Sequence, residues 1–314
     1  MRMPRPIIID TDPGTDDAVA ILLALAAPEL DLLGLAAVAG NAPLVATERN
    51  ARAVLELAGR TEVPVYAGCP RPIGGGAISA EHAHGESGLG GLELPPPQLA
   101  LQPGHGVDFL VETLRTSPPR SITVCALGPL TNVAAALIKA PDIAERIGEL
   151  VVMGGASYAL GNTTPCAEFN IHADPLAAAI VFGSGASITL IPLDLTHQVM
   201  STPERMERVR ALGNRCGLAA ALLMSPPRAR KTGRGQPPAY ALHDPCVIAY
   251  LLAPELFEGA ETNVAVETQS PLTLGMTVID WRGISGRPRN ARVMTKIDAD
   301  GFYALLTERL ADLP

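Results

Sequence analysis

The stretch Ile7-Ile8-Ile9-Asp10-Thr11-Asp12-Pro13-Gly14-Thr15-Asp16-Asp17-Ala18 decides the fold of this chain. Its three isoleucines form an apolar run without polar alternation, which is typical of a strand buried on both faces of a parallel sheet. A helical pattern of apolar residues follows at once over 18–27 and stops before Pro28. A buried strand that leads directly into a helix predicts a βαβ unit, from which doubly wound α/β sheets are built.

The same alternation of buried strands and helices continues along the chain. A helix is predicted over 47–58, where Gly59 suits its C-terminal end, and Asp174-Pro175 and Asp244-Pro245 each read as a helix N-cap followed by proline. The last predicted helix spans 302–311. Strands are predicted at 32–38, 63–66, 122–127, 150–153, 188–193, 263–267, 272–279 and 291–297. We therefore predict an α/β fold with a doubly wound, mostly parallel central sheet flanked by helices.

Two stretches rich in glycine and proline interrupt this pattern. They cover 70–98 and 225–240, and both are predicted to be mobile surface loops. The sequence shows no internal repeat and no linker, so we predict one domain over residues 1–314.

The composition excludes several classes of protein. A hydrophobic content of 47% with 18% charged residues is too apolar for a disordered chain, and a net charge of −8 disfavours nucleic acid or an anionic membrane as partner. No apolar run reaches the ~18 residues of a membrane span, and the N-terminal run is too short for a signal peptide. Five scattered cysteines without a Cys-x-x-Cys pair predict reduced thiols. We expect a cytoplasmic protein that acts on a small molecule.

Four carboxylates, those of Asp10, Asp12, Asp16 and Asp17, lie within eight residues at the end of the first strand. Ligands of open parallel sheets bind beyond this end of the strands. A helix N-terminus accounts for one or two acidic residues, but four like charges so close together repel and raise one another's pKa. A bound cation relieves that conflict, and an all-oxygen ligand set favours Ca²⁺ or Mg²⁺ over zinc.

A magnesium-dependent aspartyl phosphohydrolase is one enzyme class whose first strand ends in paired aspartates. In that class a Thr or Val stands where this chain has Gly14, and a lysine holds the phosphoryl group. The three lysines here, Lys139, Lys231 and Lys296, do not follow an evident strand in a suitable loop. This alternative and a non-catalytic ribose-binding protein both stay open at this point.

The acidic stretch resembles the signature of the nucleoside hydrolases, the calcium-dependent N-ribohydrolases. Further motifs match that family in order and at similar spacing, which makes the resemblance specific over most of the chain. These motifs are Gly40-Asn41, His84-Gly85-Glu86-Ser87-Gly88, Gly128-Pro129-Leu130-Thr131-Asn132, Val152-Met153-Gly154-Gly155, Gly161-Asn162, Ala167-Glu168-Phe169-Asn170, Asp194-Leu195-Thr196-His197 and His243-Asp244-Pro245. The resemblance implies the nucleoside hydrolase fold, which is Rossmann-like.

The resemblance also implies a calcium site and a catalytic base. Ca²⁺ would be held by Asp12, Asp17, Asp244 and the backbone carbonyl of Leu127, with Asp10 orienting the other carboxylates. Asp12 would in addition take a proton from the attacking water. In isolation Asp244 would read as a plain N-cap, but its neighbour His243 and the order of the motifs favour a metal ligand.

The remaining implied site residues bind the substrate. Ribose contacts are implied for Asp16 at the 2′-hydroxyl, Asn41 near the attacked face, Asn170 at the ribose hydroxyls, and Asn162 and Glu168 at the 5′-hydroxyl. His243 would protonate the nucleobase, and His84 would contact the edge of the base.

The chain departs from the family pattern within 225–240. Relatives often place a base-contacting tyrosine on a helix ahead of the His-Asp pair, where this chain has Lys231, and Tyr240 stands only three residues before His243. The basic residues of this loop could instead accept a 5′-phosphate, although Glu168 would repel it. Base selectivity is therefore left open.

The resemblance implies hydrolysis of a ribonucleoside to ribose and a free base in nucleoside catabolism and purine or pyrimidine salvage. The His243-containing branch of the family typically prefers pyrimidine nucleosides or inosine and uridine. Members are commonly homodimers or homotetramers. A phosphohydrolase would instead release phosphate, and a ribose-binding protein would hold nucleoside without releasing its base.

Overall fold

The computed structural model describes residues 3–76, 88–225 and 240–314. Its centre is an eight-stranded sheet. The strands of this sheet are β1 Arg5–Thr11, β2 Leu30–Ala37, β3 Val65–Ala67, β4 Ile122–Ala126, β5 Ile147–Met153, β6 Ile188–Ile191, β9 Phe257–Thr262 and β12 Ala291–Ile297. Two small antiparallel pairs join β7 Met200–Ser201 to β8 Tyr240–Ala241, and β10 Val264–Val266 to β11 Thr277–Ile279.

The spatial order of the sheet is β3-β2-β1-β4-β5-β6-β12-β9. Neighbours are parallel except β12 and the edge strand β9, which run antiparallel. Strands β2 and β3 lie on one side of β1, and β4, β5 and β6 lie on its other side, so the strand order reverses at β1. A crevice therefore opens between the carboxyl ends of β1 and β4, where ligands of doubly wound folds bind. The predicted fold class is confirmed.

Helices cover both faces of the sheet. They are α1 Thr15–Leu25, α2 Leu44–Leu57, α3 Gly106–Thr116, α4 Thr131–Lys139, α5 Phe169–Ala173, α6 Pro175–Phe182, α7 Leu193–Thr196, α8 Pro203–Arg210, α9 Arg215–Leu223, α10 Pro245–Leu252 and α11 Ala299–Leu310. One hydrophobic cluster joins the sheet to α1, α2, α9, α10 and α11, and a second joins it to α3, α4 and α6. Every residue of α1 is buried, because other helices cover the side of α1 that faces away from the sheet.

Local chemistry explains where several helices begin and end. Helix α1 starts earlier than its apolar pattern predicts, because the Asp17 carboxylate accepts a hydrogen bond from the Gly14 amide at 2.9 Å. Gly59, at φ +70°, follows α2 as predicted. Asp174 caps α6 by accepting from the Ala177 amide at 3.1 Å.

Other elements differ from the prediction. The run 188–193 ends as a strand at Ile191 and turns at Pro192 into α7, and the predicted strand 272–279 shortens to β11. Helix α3 and the polar edge strand β9 are not predicted from the sequence. In the described parts of the two predicted loops, 70–76 and 88–98 contain neither helix nor strand, and residues 77–87 and 226–239 lie outside the described residues.

Two further predictions concern thiols and membranes. All five cysteines are free thiols in the structure. Among the described residues, the helices are too short or too polar to cross a bilayer.

Candidate active site

The acidic stretch places its carboxylates at the switch point of the sheet. Asp10 lies at the end of β1, and Asp12 follows it in the turn that leads to α1. Asp10, Asp12 and Asp17 are completely buried, and Asp16 and Asp244 nearly so. Burying so many carboxylates together is costly unless each is hydrogen-bonded, protonated or bound to a cation.

Three of these residues form a tight cluster. Asp16, Asp17 and Asp244 each offer a carboxylate oxygen, and these oxygens lie within 4.8 Å of one another. Asp244 immediately precedes α10, yet its side chain makes no capping hydrogen bond to that helix. Asp244 therefore occupies the predicted N-cap position without capping the helix through its side chain, and its carboxylate belongs to the cluster.

Asp17 is held by three donors, two from its own stretch of the chain and one from the loop after β2. Its Oδ1 accepts from the Thr11 hydroxyl at 2.6 Å, and its Oδ2 accepts from the Gly14 amide and from Asn41 Nδ2 at 2.9 and 3.0 Å. Asp17 therefore caps α1 and belongs to the acidic cluster at the same time.

Asp12 is confined between the loops that follow β2 and β4. Its Oδ2 accepts from the Asn41 amide at 2.6 Å, while its Oδ1 is buried without a hydrogen-bond partner among the described residues. A Cβ at Gly40 or Gly128 would collide with the Asp12 carboxylate, so both positions need glycine for space. The loops thus fix Asp12 in one orientation.

The electrostatics of the cluster favour protonation of these carboxyls. Burial, followed by the nearby charge of Asp17, raises the pKa of Asp12 well above its usual range. Burial and then the charges of Asp16, Asp17 and Asp12 do the same to the pKa of Asp244. Burial also raises the pKa of Asp10 to about 7, although the Asn132 amide partly opposes it.

These observations fit a hard divalent cation. The donors are carboxylate oxygens, the cluster carries excess negative charge, and the buried Asp12 Oδ1 lacks a donor. The carbonyl of Leu127, which follows β4, accepts from Asn170 Nδ2 at 2.7 Å and keeps a second lone pair. Asp12 is not one of the three residues whose oxygens lie within 4.8 Å of one another, but the charge of Asp17 raises the pKa of Asp12, and the charge of Asp12 raises the pKa of Asp244.

Asn132, in α4, supports Asp10 from behind. Its Nδ2 donates to Asp10 Oδ2 at 2.8 Å and to the carbonyl of Ala37 at 3.2 Å, and its Oδ1 accepts from the Cys69 amide at 2.7 Å. These bonds join the carboxyl ends of β1, β2 and β3. Asn132 belongs to the motif Gly128-Pro129-Leu130-Thr131-Asn132, but the sequence alone does not predict this supporting role.

The residues predicted to bind ribose lie beyond β5. Asn170 Nδ2 donates to the carbonyls of Leu127 and Met153 at 2.7 and 3.2 Å. The buried Glu168 carboxylate caps α5 by accepting from the Asn170 and Ile171 amides and from Gly155, while its burial raises its pKa to about 7.

Asn162 lies at the rim of this region. Its side chain is exposed, and its Oδ1 accepts from the Phe169 amide at 2.9 Å. This bond links Asn162 to the first residue of α5, one position after Glu168.

His243 connects the acidic cluster to a group of aromatic side chains. Its amide donates to Asp16 Oδ2 at 3.2 Å, and its ring Nδ1 lies 2.8 Å from the Thr196 hydroxyl. The rings of His197 and Tyr240 pack edge-on to the His243 ring at centroid distances of 6.0 and 6.3 Å. His84, predicted to contact the base, lies outside the described residues.

Comparisons with known proteins agree with this architecture. The chain matches the family described as inosine-uridine preferring nucleoside hydrolase over residues 7–304. It is 46% identical to the pyrimidine-specific ribonucleoside hydrolase RihA of Citrobacter koseri, over 98% of this chain and 99% of that protein. It is also 47% identical to an uncharacterized Schizosaccharomyces pombe protein, with 98% and 99% coverage.

A solved structure gives the same answer at the level of fold. The purine-preferring ribonucleoside hydrolase from Gardnerella vaginalis superposes with a TM-score of 0.89 at 32% identity, covering 98% of both chains. A doubly wound sheet with an acidic site at its switch point defines a class of ligand-binding α/β proteins. The chain belongs to the inosine-uridine preferring nucleoside hydrolase family, and it is an enzyme that hydrolyses ribonucleosides.

Proposed function

We propose that this enzyme is a Ca²⁺-dependent hydrolase of ribonucleosides with a preference for pyrimidine bases, and that Asp12 is its catalytic base. The observation that carries the proposal is the fully buried Asp12 carboxylate, whose Oδ1 has no hydrogen-bond partner among the described residues and which lies beside the Asp16, Asp17 and Asp244 cluster. The pyrimidine preference is supported by the names of the RihA relatives.

The proposed metal ligands are Asp12, Asp17, Asp244 and the Leu127 carbonyl. When bound, Ca²⁺ supplies a template for the ribose hydroxyls and lowers the pKa of a water. Cation binding also offsets the mutual repulsion that raises the pKa values of Asp12 and Asp244.

Asp12 is the residue suited to move the proton of the attacking water. The Asn41 amide bond at 2.6 Å keeps Oδ2 in place, and the buried Oδ1, which has no hydrogen-bond partner among the described residues, is left to accept the proton. The water oxygen bonds to the ribose C1′, the C1′–N bond breaks with its electron pair moving to the base, and Asp12 takes the water proton.

The ribose and the nucleobase are each assigned to a separate set of side chains. Asp16, Asn41 and Asn170 bind the ribose hydroxyls, Glu168 and Asn162 bind the 5′-hydroxyl, and Asp10 keeps the turn in position. At the other end His243 protonates the base, and His84 contacts its edge. Protonation of the leaving base favours cleavage, because it neutralises the negative charge that the base acquires with the C1′–N electron pair.

We further propose that the enzyme works in the cytoplasm in nucleoside salvage, as a homodimer or homotetramer of single-domain chains. Support for an oligomer is an exposed apolar surface where the rings of Tyr158 and Trp281 stack at 6.5 Å, beside the exposed Ile284. Light scattering of the purified protein would measure its mass.

The test is a panel of ribonucleosides incubated with the protein and Ca²⁺, with free base measured by chromatography. We expect uridine and cytidine to release base faster than adenosine or guanosine. Asp12→Asn should reduce release at least ~100-fold, because the base is removed without changing the shape of the side chain. Asp31→Asn, an exposed aspartate on β2, is the matched control.

The same panel separates the alternatives. A phosphohydrolase would release inorganic phosphate from a phosphomonoester in Mg²⁺ and no base from any nucleoside. A ribose-binding protein would bind uridine by calorimetry yet release no uracil. Turnover of Asp12→Asn equal to wild type would remove Asp12 from the catalytic role.

A further inference from the structure

The base end of the site contains a hydrogen bond that the proposed function does not use. Thr196, the last residue of α7, is completely buried, and its hydroxyl lies 2.8 Å from His243 Nδ1. Helix α7 begins directly after β6 and Pro192, so the position of β6 in the sheet fixes the position of the Thr196 hydroxyl.

The hydroxyl controls which nitrogen of His243 carries the hydrogen. Among the described residues, Thr196 Oγ1 has no other hydrogen-bond partner, so its hydrogen points to Nδ1 of the neutral ring. A ring that accepts at Nδ1 carries its hydrogen at Nε2. When the ring is an imidazolium, Nδ1–H donates to Thr196 Oγ1 instead, and Nε2 still carries a hydrogen.

Other contacts fix the orientation of the same ring. The His243 amide donates to Asp16 Oδ2 at 3.2 Å, and the rings of Tyr240 and His197 pack edge-on to the His243 ring. Because Nδ1 is engaged by Thr196, the nitrogen that acts on a nucleobase is Nε2. His243 is also adjacent to Asp244 of the acidic cluster, so the ring stands beside the proposed ribose site.

We propose that Thr196 is a positioning residue for departure of the base, holding His243 as a hydrogen donor at Nε2. This inference rests on the proposed function. As the C1′–N bond breaks, its electron pair moves onto the base, and the imidazolium Nε2 proton passes to an oxygen or nitrogen atom of the base. The ring is left neutral with its hydrogen on Nδ1, and it regains a proton from solvent at Nε2 as Asp12 releases to solvent the proton that it took from the attacking water. Thr196 is not itself consumed and does not touch the base.

The test compares Thr196→Val with Thr196→Ser. Valine keeps the shape of threonine and removes the hydroxyl, whereas serine keeps the hydroxyl. Thr189→Val is the matched control, because Thr189 is also buried and its hydroxyl donates to Glu149 Oε1 at 2.7 Å near the amino end of β6. Circular dichroism melting of each variant reports whether it is folded.

Two substrates separate a positioning role from general damage. Uracil is a poor leaving group that needs protonation, whereas p-nitrophenolate leaves p-nitrophenyl β-D-ribofuranoside unaided. For Thr196→Val we expect kcat on uridine to fall roughly 10- to 100-fold with KM changed by less than about threefold, and the rate on the p-nitrophenyl riboside to stay within about threefold. Thr196→Ser and Thr189→Val should stay within about threefold on both substrates.

Equal losses on both substrates, or undiminished uridine turnover in a folded Thr196→Val, would overturn the inference. If the wild-type protein cleaves neither substrate, the proposed function fails instead, so the two failures are distinct. Long-range ¹H–¹⁵N spectra of His243 in the wild-type protein give a test that does not depend on any variant. The neutral ring should be the Nε2–H tautomer, and an Nδ1–H tautomer would contradict the proposal.

Discussion

At the scale of single residues, the site depends as much on side chains that are missing as on those that are present. Asp12 lies against the backbone of Gly40 and Gly128, where any Cβ would collide with its carboxylate. Neither glycine has a positive φ, so the requirement is for space and not for an unusual backbone conformation. The position of the Asp12 carboxylate therefore depends on glycine at both 40 and 128.

Gly128→Ala should inactivate the enzyme while the fold survives. The added methyl group pushes the Asp12 carboxylate out of its position, for which we expect at least a ~100-fold loss of kcat and a decrease of about 1–3 kcal/mol in the free energy of unfolding. Base release from uridine and urea unfolding measure the two effects. Gly91→Ala is the control, since nothing lies within 4 Å of a Cβ there. Near wild-type activity in Gly128→Ala would show that Asp12 does not need its observed position.

At the scale of secondary-structure elements, Asp174 joins three segments around the N-terminus of α6. Besides capping that helix at the Ala177 amide, it accepts from the Thr131 hydroxyl and from the Ile73 amide, both at 2.8 Å. These contacts tie α4 and the segment 70–76 to α6. Asp174 thereby fixes Ile73 within the described segment 70–76.

Asp174→Ala should therefore cost more stability than loss of a simple cap. We expect a decrease of about 2–4 kcal/mol in the free energy of unfolding, because the change removes a cap and leaves a buried hydroxyl and an amide without an acceptor. The comparison is Asp298→Ala, which removes only the exposed cap of α11 and should cost about 1 kcal/mol. Urea unfolding of both variants measures the two decreases in the free energy of unfolding. Equal losses would mean that the bonds to Thr131 and Ile73 contribute nothing.

The sequence predicted elements that carry a strong local signal. Examples are the apolar runs of β1, β2 and β4 and the Asp-Pro pairs at the starts of α6 and α10. Neighbouring residues are enough to indicate a strand buried on both faces or a helix that begins with proline. Strand β9 was missed because it is a polar edge strand, and its antiparallel pairing with β12 depends on residues far away in the chain. Pairing order across a sheet is a long-range property that local patterns do not contain.

The candidate site was predictable to a similar extent. The aspartates and Asn41, Glu168 and Asn170 were named from motifs, and the structure brings them to one edge of the sheet. The supporting residues Asn132 and Thr196 also lie within these motifs, but the motifs do not predict what they do. Their function depends on partners in other elements, Asp10 and His243, which sequence spacing alone does not reveal.

At the scale of the whole molecule, cation binding should couple to stability, because the acidic cluster joins the first turn of the chain to the start of α10. At a free Ca²⁺ concentration of 100 times Kd the free energy of unfolding should rise by about 2.7 kcal/mol, which corresponds to about 4 °C in Tm. Calorimetry with Ca²⁺ and with a chelator measures this shift.

Asp244→Asn should abolish the stabilisation by Ca²⁺ and, in chelator, melt no lower than wild type. Removing one of several crowded buried carboxylates relieves repulsion, so the sign of the effect differs between the two conditions. Asp31→Asn should keep the full shift. A Ca²⁺ response in Asp244→Asn equal to that of wild type would exclude Asp244 as a ligand.

The complete burial of α1 has a consequence for how the enzyme comes into being. The covering of this first helix includes α9, α10 and α11, all from the final third of the chain. During synthesis, the apolar surface of α1 therefore stays exposed until α9, α10 and α11 have been made. The acidic cluster itself includes Asp244, which directly precedes α10, so the catalytic centre cannot assemble before that segment has been synthesised.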